Sequence, residues 1–357
     1  MVNTDMSDKK KHTELDMWFA EQRATAKRQM ELEREERDRE LLAQRDAHGA
    51  RLAAAIPTSF VSFCDWLGVV LTPAQRCLAS WLYDASGTPD DLEYVQTLFG
   101  GSEGILVPGK RHRVVTIVAG RRAGKSYIFI ALRLLHGLLV RDLSSCAPGQ
   151  IPTAIVIAQN RTLRQEVLNY ALGAVRSKPE LAGLLPKQKL DDLNPSRFDL
   201  HRPDGRLVRF QGAVATKGGY GARGRSFTDV ALDETAFFAD ENHAISDVRI
   251  FAAALPGLLP GGQCIVASTP WAEAGLLYDL YKRNYGHPAD ALCAHAPTVL
   301  LNPEQRELVE RETIRDPDNA AVEYEAQFMA GGSSVFFPAG LLDGAIERYE
   351  NEGGKAT

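Results

Sequence analysis

The pattern of apolar positions changes near Arg111, where short apolar runs begin to alternate with longer segments of helical spacing. Helices are predicted from Lys125 to about Leu139 and from about Thr162 to Val175. Strands that alternate with helices indicate a mostly parallel sheet covered by helices on both faces. Strands buried on both faces are predicted at VVTIV (114–118), TAIVIA (153–158), TDVALDE (228–234) and QCIVAST (263–269).

Two further segments show local signals of their own. FDLHRPDGRLVRFQG (198–212) contains two alternating runs separated by Pro-Asp-Gly, which predicts a β-hairpin. PTSFVSFCDWLGVVLTPAQRCLASWLYD (57–84) predicts two short helices. The second of them is expected to begin at Pro73 with Thr72 as its cap, because proline is favoured in the first helical turn.

Residues 1–55 differ in composition from the rest of the chain. Between Thr13 and Asp46 there is no Pro or Gly, and charged residues dominate. Glu33 and Arg37 stand four residues apart, in the order that stabilises a helix. This segment predicts a long, solvated helical arm. A docking arm for another subunit is the alternative to a helix with no role of its own.

Charge and hydrophobicity narrow the possible function classes. The 357 residues carry a net charge of -5, so any contact with nucleic acid has to come from a local basic surface. No apolar run approaches the ~18 residues that are needed to span a bilayer. The N-terminal sequence also lacks the apolar core of a signal peptide, so no membrane association is expected.

The strongest candidate for chemistry is AGRRAGKS, from Ala119 to Ser126, which follows a predicted strand and opens a predicted helix. That context is typical of a P-loop, whose backbone N–H groups hold phosphate oxygens. Gly124 would let the backbone approach the phosphates, Lys125 would reach the β- and γ-phosphates, and Ser126 would bind Mg²⁺. The usual spacing has glycine at position 119, and here the glycine is Gly120.

Two other predicted strands end in polar residues. VALDE ends in Asp233, which could hold Mg²⁺ through its water shell, and Glu234, which could polarise an attacking water. ASTP (267–270) places Ser-Thr at the end of the next strand, where the pair could hydrogen-bond toward the γ-phosphate or toward Glu234. Because the carboxyl ends of parallel strands share one edge, these groups are expected near the P-loop.

The segment LTPAQ, residues 71–75, lies upstream of the P-loop. A glutamine amide can pair with the edge of an adenine through one donor and one acceptor, so Gln75 is a candidate for base selection. A glutamine on a helix surface with no such role is the alternative interpretation.

Taken together, these motifs resemble the ATPase domain of tailed-phage large terminases. The resemblance covers about residues 58–335. It is carried by GRRAGKS, LDETAF, STP, GARGRSFTDVALDE, NPEQ (302–305) and DPDNAAVEYEAQF (316–328). The Arg-rich loop, LDETAF and the EY-x-x-x-F ending are more specific than a P-loop alone, which many ATPases share.

The resemblance implies an ASCE-type P-loop NTPase fold with a small lid subdomain behind the helical arm. It divides the chain into the arm (1–55), the ATPase core (56–300) and a lid with a C-terminal tail (301–357). The implied cofactors are ATP and Mg²⁺, with Ser126 and Asp233 as the metal ligands. The expected catalytic group consists of Glu234, Lys125, Arg122 and Thr269. The expected nucleotide contacts are Gln75, Gly120, Arg121, Ala123, Gly124, Lys125 and Ser126.

The resemblance also implies partners. It implies a ring, usually of five subunits, on a capsid portal in the host cytoplasm, working with a small terminase subunit on double-stranded DNA. Arg161 or Arg164 could reach a neighbouring active site in trans, or either could be an ordinary surface arginine. The loop KGGYGARGR (217–225) suits contact with the DNA backbone through Lys217, Tyr220, Arg223 and Arg225, although a mobile loop before a strand accounts for it equally well.

Two other classes of function remain open at this stage. A two-lobed helicase has a similar P-loop, DE box and Ser-Thr motif, but it needs a second RecA-like lobe. A non-motor protein that binds ATP to fix an assembly needs only the nucleotide site. Turnover that DNA stimulates would separate a motor from such a scaffold.

Large terminases usually carry a nuclease domain, and only 88 residues follow Thr269 here. We therefore expect that this chain does not cleave DNA. Incubating it with supercoiled plasmid and Mg²⁺ or Mn²⁺ should leave the plasmid intact, and clear nicking would contradict the expectation.

Overall fold

The computed structural model describes residues 49–87, 91–101, 106–186, 195–215, 225–238 and 247–329, together with scattered positions between 27 and 47. The chain forms two compact units, Met1–Ala55 with Pro203–Gly205, and Ile56–Arg202 with Arg206–Thr357. In the first unit the described residues from 27 to Ala55 are helical and mostly exposed, and most of the predicted arm lies outside the described residues.

The second unit contains a seven-stranded sheet. The strands are β1 (Val114–Ala119), β2 (Thr153–Ala158), β3 (Arg197–His201), β4 (Leu207–Val214), β5 (Phe227–Asp233), β6 (Cys264–Ser268) and β7 (Leu292–Ala296). Their order is β3-β4-β2-β5-β6-β1-β7, and every pair is parallel except β3 with β4. That antiparallel pair is the predicted hairpin, in which Arg202 N donates to Arg206 O over 2.9 Å.

Helices cover the sheet. A π-helical segment, Lys125–Leu132, leads from the P-loop into the α-helix that was predicted there. The helices are α1 (Phe60–Leu67), α2 (Pro73–Ala79), α3 (Leu92–Phe99), α4 (Arg133–Val140), α5 (Arg161–Ser177), α6 (Pro179–Ala182), α7 (Asp247–Ala254), α8 (Gly275–Asn284), α9 (Thr298–Leu301), α10 (Arg306–Arg315) and α11 (Pro317–Glu323). Short 3₁₀ turns occur at Thr235–Phe237, Leu255–Gly257 and Pro303–Gln305.

The predicted start of α2 is confirmed in detail. Thr72 accepts a hydrogen bond from the backbone N of Gln75, and the Gln75 side chain accepts one from the backbone N of Thr72. This reciprocal capping box satisfies two backbone donors that a helix start would otherwise leave unpaired. Pro73 occupies the first turn, where its missing N–H removes no hydrogen bond.

The order of the strands determines where the motifs meet. β6 lies between β1, which leads into the P-loop, and β5, which ends in the two carboxylates. All three strands are parallel, so their carboxyl ends lie at one edge of the sheet. One additional strand between these two motifs, with a glutamate after the acidic strand, is the arrangement of the ASCE-type P-loop fold. The predicted fold class is therefore confirmed.

Aliphatic side chains on both faces of the sheet form the core. Every residue of β1, β2, β5 and β6 is buried, as the unbroken apolar runs predict. β7 is an additional strand, parallel to β1. Its sequence LCAHA is short and contains a histidine, so it has too weak an apolar pattern to be predicted. Within the described residues, none of the helices has the length and apolar character of a membrane span.

A cluster of buried charged side chains connects α4 to β5 and β6 near the amino ends of these strands, at the edge opposite the P-loop. Asp229 is fully buried, and its Oδ1 accepts hydrogen bonds from Arg141 Nη2 (2.7 Å), Arg133 Nη2 (3.2 Å) and Gln263 N (2.9 Å). Burial lowers the pKa of Arg133, against the attraction of Asp229. Gly137 is required here because a Cβ atom would overlap Asp229 Oδ2.

We expect Asp229→Ala to lower the free energy of unfolding by about 3–5 kcal/mol, because it leaves two buried guanidinium groups without their carboxylate. Urea denaturation measures this loss. Asp65→Ala is the matched control, since it breaks an ion pair with Arg76 in which both side chains are nearly half exposed; it should cost at most about 1 kcal/mol. Equal losses in the two variants would contradict the expectation.

Candidate active site

The P-loop follows β1 and leads into the π-helical segment. Ala119 is the last residue of β1 and is fully buried. At Gly120 a Cβ atom would overlap Thr298 Oγ1 and lie 2.5 Å from Tyr324 O, so only glycine fits there. The close packing of this loop against the chain around Tyr324 therefore explains why glycine stands one residue later than in the usual spacing.

Five consecutive carbonyl groups, those of residues 119–123, accept hydrogen bonds from side chains. The bonds are Lys125 Nζ to Ala119 O (2.8 Å) and Gly120 O (3.0 Å), Thr298 Oγ1 to Arg121 O (2.8 Å), Asn302 Nδ2 to Arg122 O (2.9 Å) and Gln75 Nε2 to Ala123 O (3.4 Å). Because these acceptors are engaged, the available backbone groups of the following helix start are N–H donors. A loop and helix start of this kind suits an anion.

Two left-handed residues shape the P-loop. Gly124 has φ 92° and Arg122 has φ 62°. Left-handed backbone is unfavourable for a non-glycine residue, and such strain is concentrated at functional sites. The Arg122 side chain is exposed beside the loop. Its predicted catalytic role stays a prediction.

Arg121 is paired with the C-terminal part of the described chain. Its Nε lies 2.6 Å from Glu323 Oε2, and its backbone N donates to Glu323 O over 2.6 Å. Sequence reasoning did not single out Glu323, or Thr298 and Asn302, as supports of the P-loop. The only signal was the position of Asn302 in NPEQ and of Glu323 in the segment 316–328, two stretches that carry the terminase resemblance, and Thr298 lies outside both. Their contacts with the loop are a product of tertiary packing.

Asp233 ends β5 directly beside the P-loop. It is fully buried, and Ser126 Oγ donates to its Oδ2 over 3.1 Å. Burial and the neighbouring Glu234 raise the pKa of Asp233 to about 7. A buried carboxylate with a raised pKa gains stability from a nearby cation. Among the described residues, no group of three or more acidic, His or Cys side chains is placed to hold a metal ion, and the predicted binding of Mg²⁺ by Ser126 and Asp233 stays a prediction.

Glu234 is held by the end of β6. Its backbone is left-handed, with φ 54°, and its N donates to Ala267 O over 2.8 Å. Its Oε2 accepts hydrogen bonds from Ser268 Oγ and Thr269 N, both over 3.1 Å. Lys125 Nζ lies 3.7 Å from its Oε1 and donates to Thr269 Oγ1 over 2.9 Å. The structure therefore brings Lys125, Glu234 and Thr269 into direct contact.

Gln75 lies against the P-loop, where its side chain is 5% exposed. Its Oε1 accepts from Thr72 N over 3.1 Å, and its Nε2 donates to Ala123 O. Both ends of the amide are thus engaged within the chain. Each of the two amide atoms can make one further hydrogen bond, so the predicted contact of Gln75 with adenine stays a prediction.

The arginines predicted to act in trans lie at the start of α5. Asn160 caps this helix by accepting from Leu163 N over 3.0 Å. Arg161 and Arg164 line a cavity of about 680 Å³ along α5 that also includes Tyr170. The Tyr170 ring lies 5.2 Å from that of Tyr127 in the π-helical segment, so α5 lies beside the candidate site. Of the predicted DNA-contact residues, Arg225 is described, and Lys217, Tyr220 and Arg223 lie outside the described residues.

The fold is similar to solved structures of phage large terminases, the family that the motifs resemble. The large terminase ATPase domain of Thermus phage P74-26 matches at 18% identity with a TM-score of 0.48, over 66% of this chain and 98% of that one. The large terminase of bacteriophage HK97 matches at 19% identity with a TM-score of 0.46, over 68% and 51%. The large terminase of a thermophilic bacteriophage, in complex with ADP, matches at 12% identity with a TM-score of 0.39, over 57% and 44%.

The matched region thus spans about half the length of the last two of these terminases. No protein-family model matches this chain, and a search of curated proteins found no similar sequence.

We expect Gly120→Ala to destabilise the protein by about 1–3 kcal/mol, as overpacking does, because the new methyl group has to displace Thr298 or the backbone at Tyr324. Thermal unfolding measures the effect. Gly173→Ala is the matched control, since Gly173 lies in α5 and a Cβ atom there would have no neighbour within 4 Å. That change should be neutral or stabilising by up to about 1 kcal/mol. A neutral Gly120→Ala would show that the loop does not depend on this contact.

Proposed function

We propose that this chain is an ATP-hydrolysing motor subunit that moves double-stranded viral DNA into a procapsid. The single observation that carries the ATPase part is the convergence of Lys125, Ser126, Asp233, Glu234 and Thr269 at one edge of the sheet. The DNA-packaging part rests on the terminase-like motifs, above all GRRAGKS, LDETAF and STP.

The nucleotide would bind with its phosphates at the P-loop. Lys125 and the N–H groups at the start of the π-helical segment would hold the β- and γ-phosphate oxygens. Ser126 and Asp233 would hold Mg²⁺, which when bound neutralises charge on the phosphates. Gly124 has no side chain that would stand between the backbone and the phosphates, and its φ of 92° is a conformation that glycine adopts without strain.

Hydrolysis requires a water to attack the γ-phosphorus while the bond from that phosphorus to the bridging oxygen breaks and ADP leaves. Glu234 is the base that would orient this water and accept its proton. In the structure Glu234 Oε2 accepts hydrogen bonds from Ser268 Oγ and Thr269 N. Lys125 Nζ donates to the P-loop carbonyls and to Thr269 Oγ1. A γ-phosphate would draw the Lys125 ammonium away from these acceptors and change the contacts of Thr269.

Thr269 is therefore the proposed coupling residue. Its backbone N–H donates to the carboxylate of Glu234, and its hydroxyl oxygen accepts from Lys125 Nζ. Thr269 therefore connects both groups to the segment that follows β6. Beyond it, Trp271 O accepts from Met329 N over 2.8 Å, which links this segment to the end of the described chain. A change in nucleotide state would therefore alter contacts outside the site.

Arginine would complete the active site. Arg122 is the candidate in the same subunit, and Arg161 or Arg164 are candidates for a neighbouring subunit in a pentameric ring on the portal. Such a ring would work in the host cytoplasm together with a small terminase subunit. If an arginine acts between subunits, the isolated monomer lacks a contribution of about 10³–10⁵ in rate. Turnover per subunit should then rise with protein concentration.

We expect Glu234→Gln to slow ATP hydrolysis by about 10²- to 10⁴-fold while ATP binding is kept, because the amide cannot accept the proton of the water. Phosphate release measures the rate, and fluorescence of a labelled ATP measures binding, with and without duplex DNA. Glu310→Gln, an exposed glutamate on α10, is the control and should behave like the wild type.

Wild-type turnover in the Glu234→Gln variant would refute the catalytic assignment. Turnover that depends on Glu234 but never responds to duplex DNA at any protein concentration would favour an ATP-gated assembly protein over a motor.

A further inference from the structure

The edge of the sheet opposite the candidate active site is basic. β1 begins directly after Lys110, Arg111, His112 and Arg113, and β5 begins two residues after Arg225. These two strands run in the same direction, so the residues before them lie at the same edge. The lysine and the three arginines are exposed. We call this group, Lys110, Arg111, Arg113 and Arg225, the basic edge.

A cavity of about 380 Å³ lies within this region, between residues 111–113 and residues 258–263. None of the residues that line the cavity is acidic. Its other wall is the turn Leu259–Gly262 that enters β6. Gly261 has φ 73°, and at Gly262 a Cβ atom would lie 2.6 Å from Thr228 O, so neither position accommodates a side chain easily. Positions 261 and 262 therefore place no side chain beside the arginines, which are exposed.

The 3₁₀ turn Leu255–Gly257 connects the two parts of the basic edge. Arg113 Nη2 donates to Leu255 O over 2.7 Å. A Cβ atom on Gly257 would lie 2.7 Å from Arg225 O, so Arg225 passes directly beside the same turn. Arg113 and Arg225 thus flank one short segment, although they are far apart in sequence.

The positive charge of this edge is not neutralised within the described part of the chain. The side chains of Lys110 and Arg111 make no hydrogen bond or ion pair there. The side-chain hydrogen bonds of Arg113 and Arg225 go to neutral groups, Leu255 O and Gln211 Oε1. Burial and the nearby Lys110 lower the pKa of His112, which disfavours its charged form, so the positive charge of this edge comes mainly from lysine and arginine.

Buried arginines add to this charge. Arg133 and Arg141 share the single carboxylate of Asp229, which leaves one of the two positive charges uncompensated. Arg141 is 7% exposed and its Nε has no partner in the described structure. Its Nη1 would lie 3.3 Å from a Cβ atom on Gly261, at the wall of the cavity. Positive side chains therefore continue from the exposed residues of the basic edge to Arg141 at the wall of the cavity.

We propose that the basic edge binds the phosphodiester backbone of double-stranded DNA. Exposed guanidinium and ammonium groups without acidic partners are the usual phosphate contacts of proteins that hold DNA without regard to sequence. Of the side chains that line the cavity, Gln263 alone has an amide or carboxylate group, and its Nε2 already donates to Leu82 O and His112 O over 2.9 Å. The ligand should therefore be bound by charge, and the choice of DNA rests on the proposed motor function.

At this position the DNA would lie away from the ATP, and β1 would connect the two binding sites. Arg113 precedes β1 and the P-loop follows it, so the two sites lie roughly 20 Å apart at about 3.3 Å per residue. DNA at the basic edge and ATP at the P-loop would not compete for space. Gln263 and Arg133 connect the basic edge to the helix that follows the P-loop.

The test is binding of the full chain to a labelled duplex of mixed sequence, followed by fluorescence anisotropy over a range of salt concentrations. Lys110→Gln/Arg111→Gln should weaken binding about tenfold, and the slope of log K against log salt should fall by about 2. Neither side chain makes a bond in the described structure, so the variant should unfold at the wild-type temperature. Arg225→Gln, at a separate point of the edge, should weaken binding in the same direction.

Arg311→Gln/Arg315→Gln is the matched control, because it removes two exposed charges from α10. It should leave affinity and salt slope unchanged. Unaltered affinity and slope in Lys110→Gln/Arg111→Gln, an equal loss in the control, or no salt-dependent binding by the wild type would overturn the proposal.

Basal ATP hydrolysis, measured in parallel, keeps the two proposals apart. A wild type that hydrolyses ATP but does not bind DNA overturns the basic edge and leaves the ATPase assignment standing. A wild type that binds DNA through Lys110 and Arg111 but never hydrolyses ATP supports the basic edge and refutes the proposed motor.

Discussion

The buried ammonium of Lys125 is the constraint on which the rest of the site depends. At 5% exposure it needs acceptors, and it finds them in Ala119 O, Gly120 O and Thr269 Oγ1, with Glu234 at 3.7 Å. These partners come from the P-loop and from the ends of β5 and β6. The Lys125 ammonium therefore links the residues at the carboxyl ends of β1, β5 and β6. Any ligand that competes for this ammonium has to change all of these contacts together.

The balance of charged side chains is opposite at the two edges of the sheet. At the carboxyl edge, Asp233 and Glu234 face one lysine, and burial with the neighbouring carboxylate raises the pKa of Asp233, which suits a site for a cation and an anionic ligand. At the amino edge, Arg133 and Arg141 face the one carboxylate of Asp229. The sheet thus separates two carboxylates beside one lysine from two guanidinium groups beside one carboxylate, and β1 runs between the two groups.

Sequence patterns predicted the elements well where local physics dominates. The buried strands followed from unbroken apolar runs, the hairpin from Pro-Asp-Gly, and the start of α2 from Thr72 and Pro73. β7 escaped prediction because five residues that include a histidine carry little pattern, and its place beside β1 comes from pairing over a long sequence separation. The π-helical start after the P-loop was likewise invisible, since nothing in KSYIFIAL distinguishes it from an α-helix.

The sequence by itself determined which groups could do chemistry, because the N–H groups of a glycine-rich turn before a helix suit phosphate and carboxylates at a strand end suit a cation. Tertiary structure alone decided how they are held: Thr298, Asn302 and Gln75 bind carbonyls of the P-loop, and Glu323 pairs with Arg121. Tertiary structure also gathered Lys110, Arg111, Arg113 and Arg225 at one edge. Such contacts join residues far apart in the chain, and their energy depends on distance and burial, which local sequence does not encode.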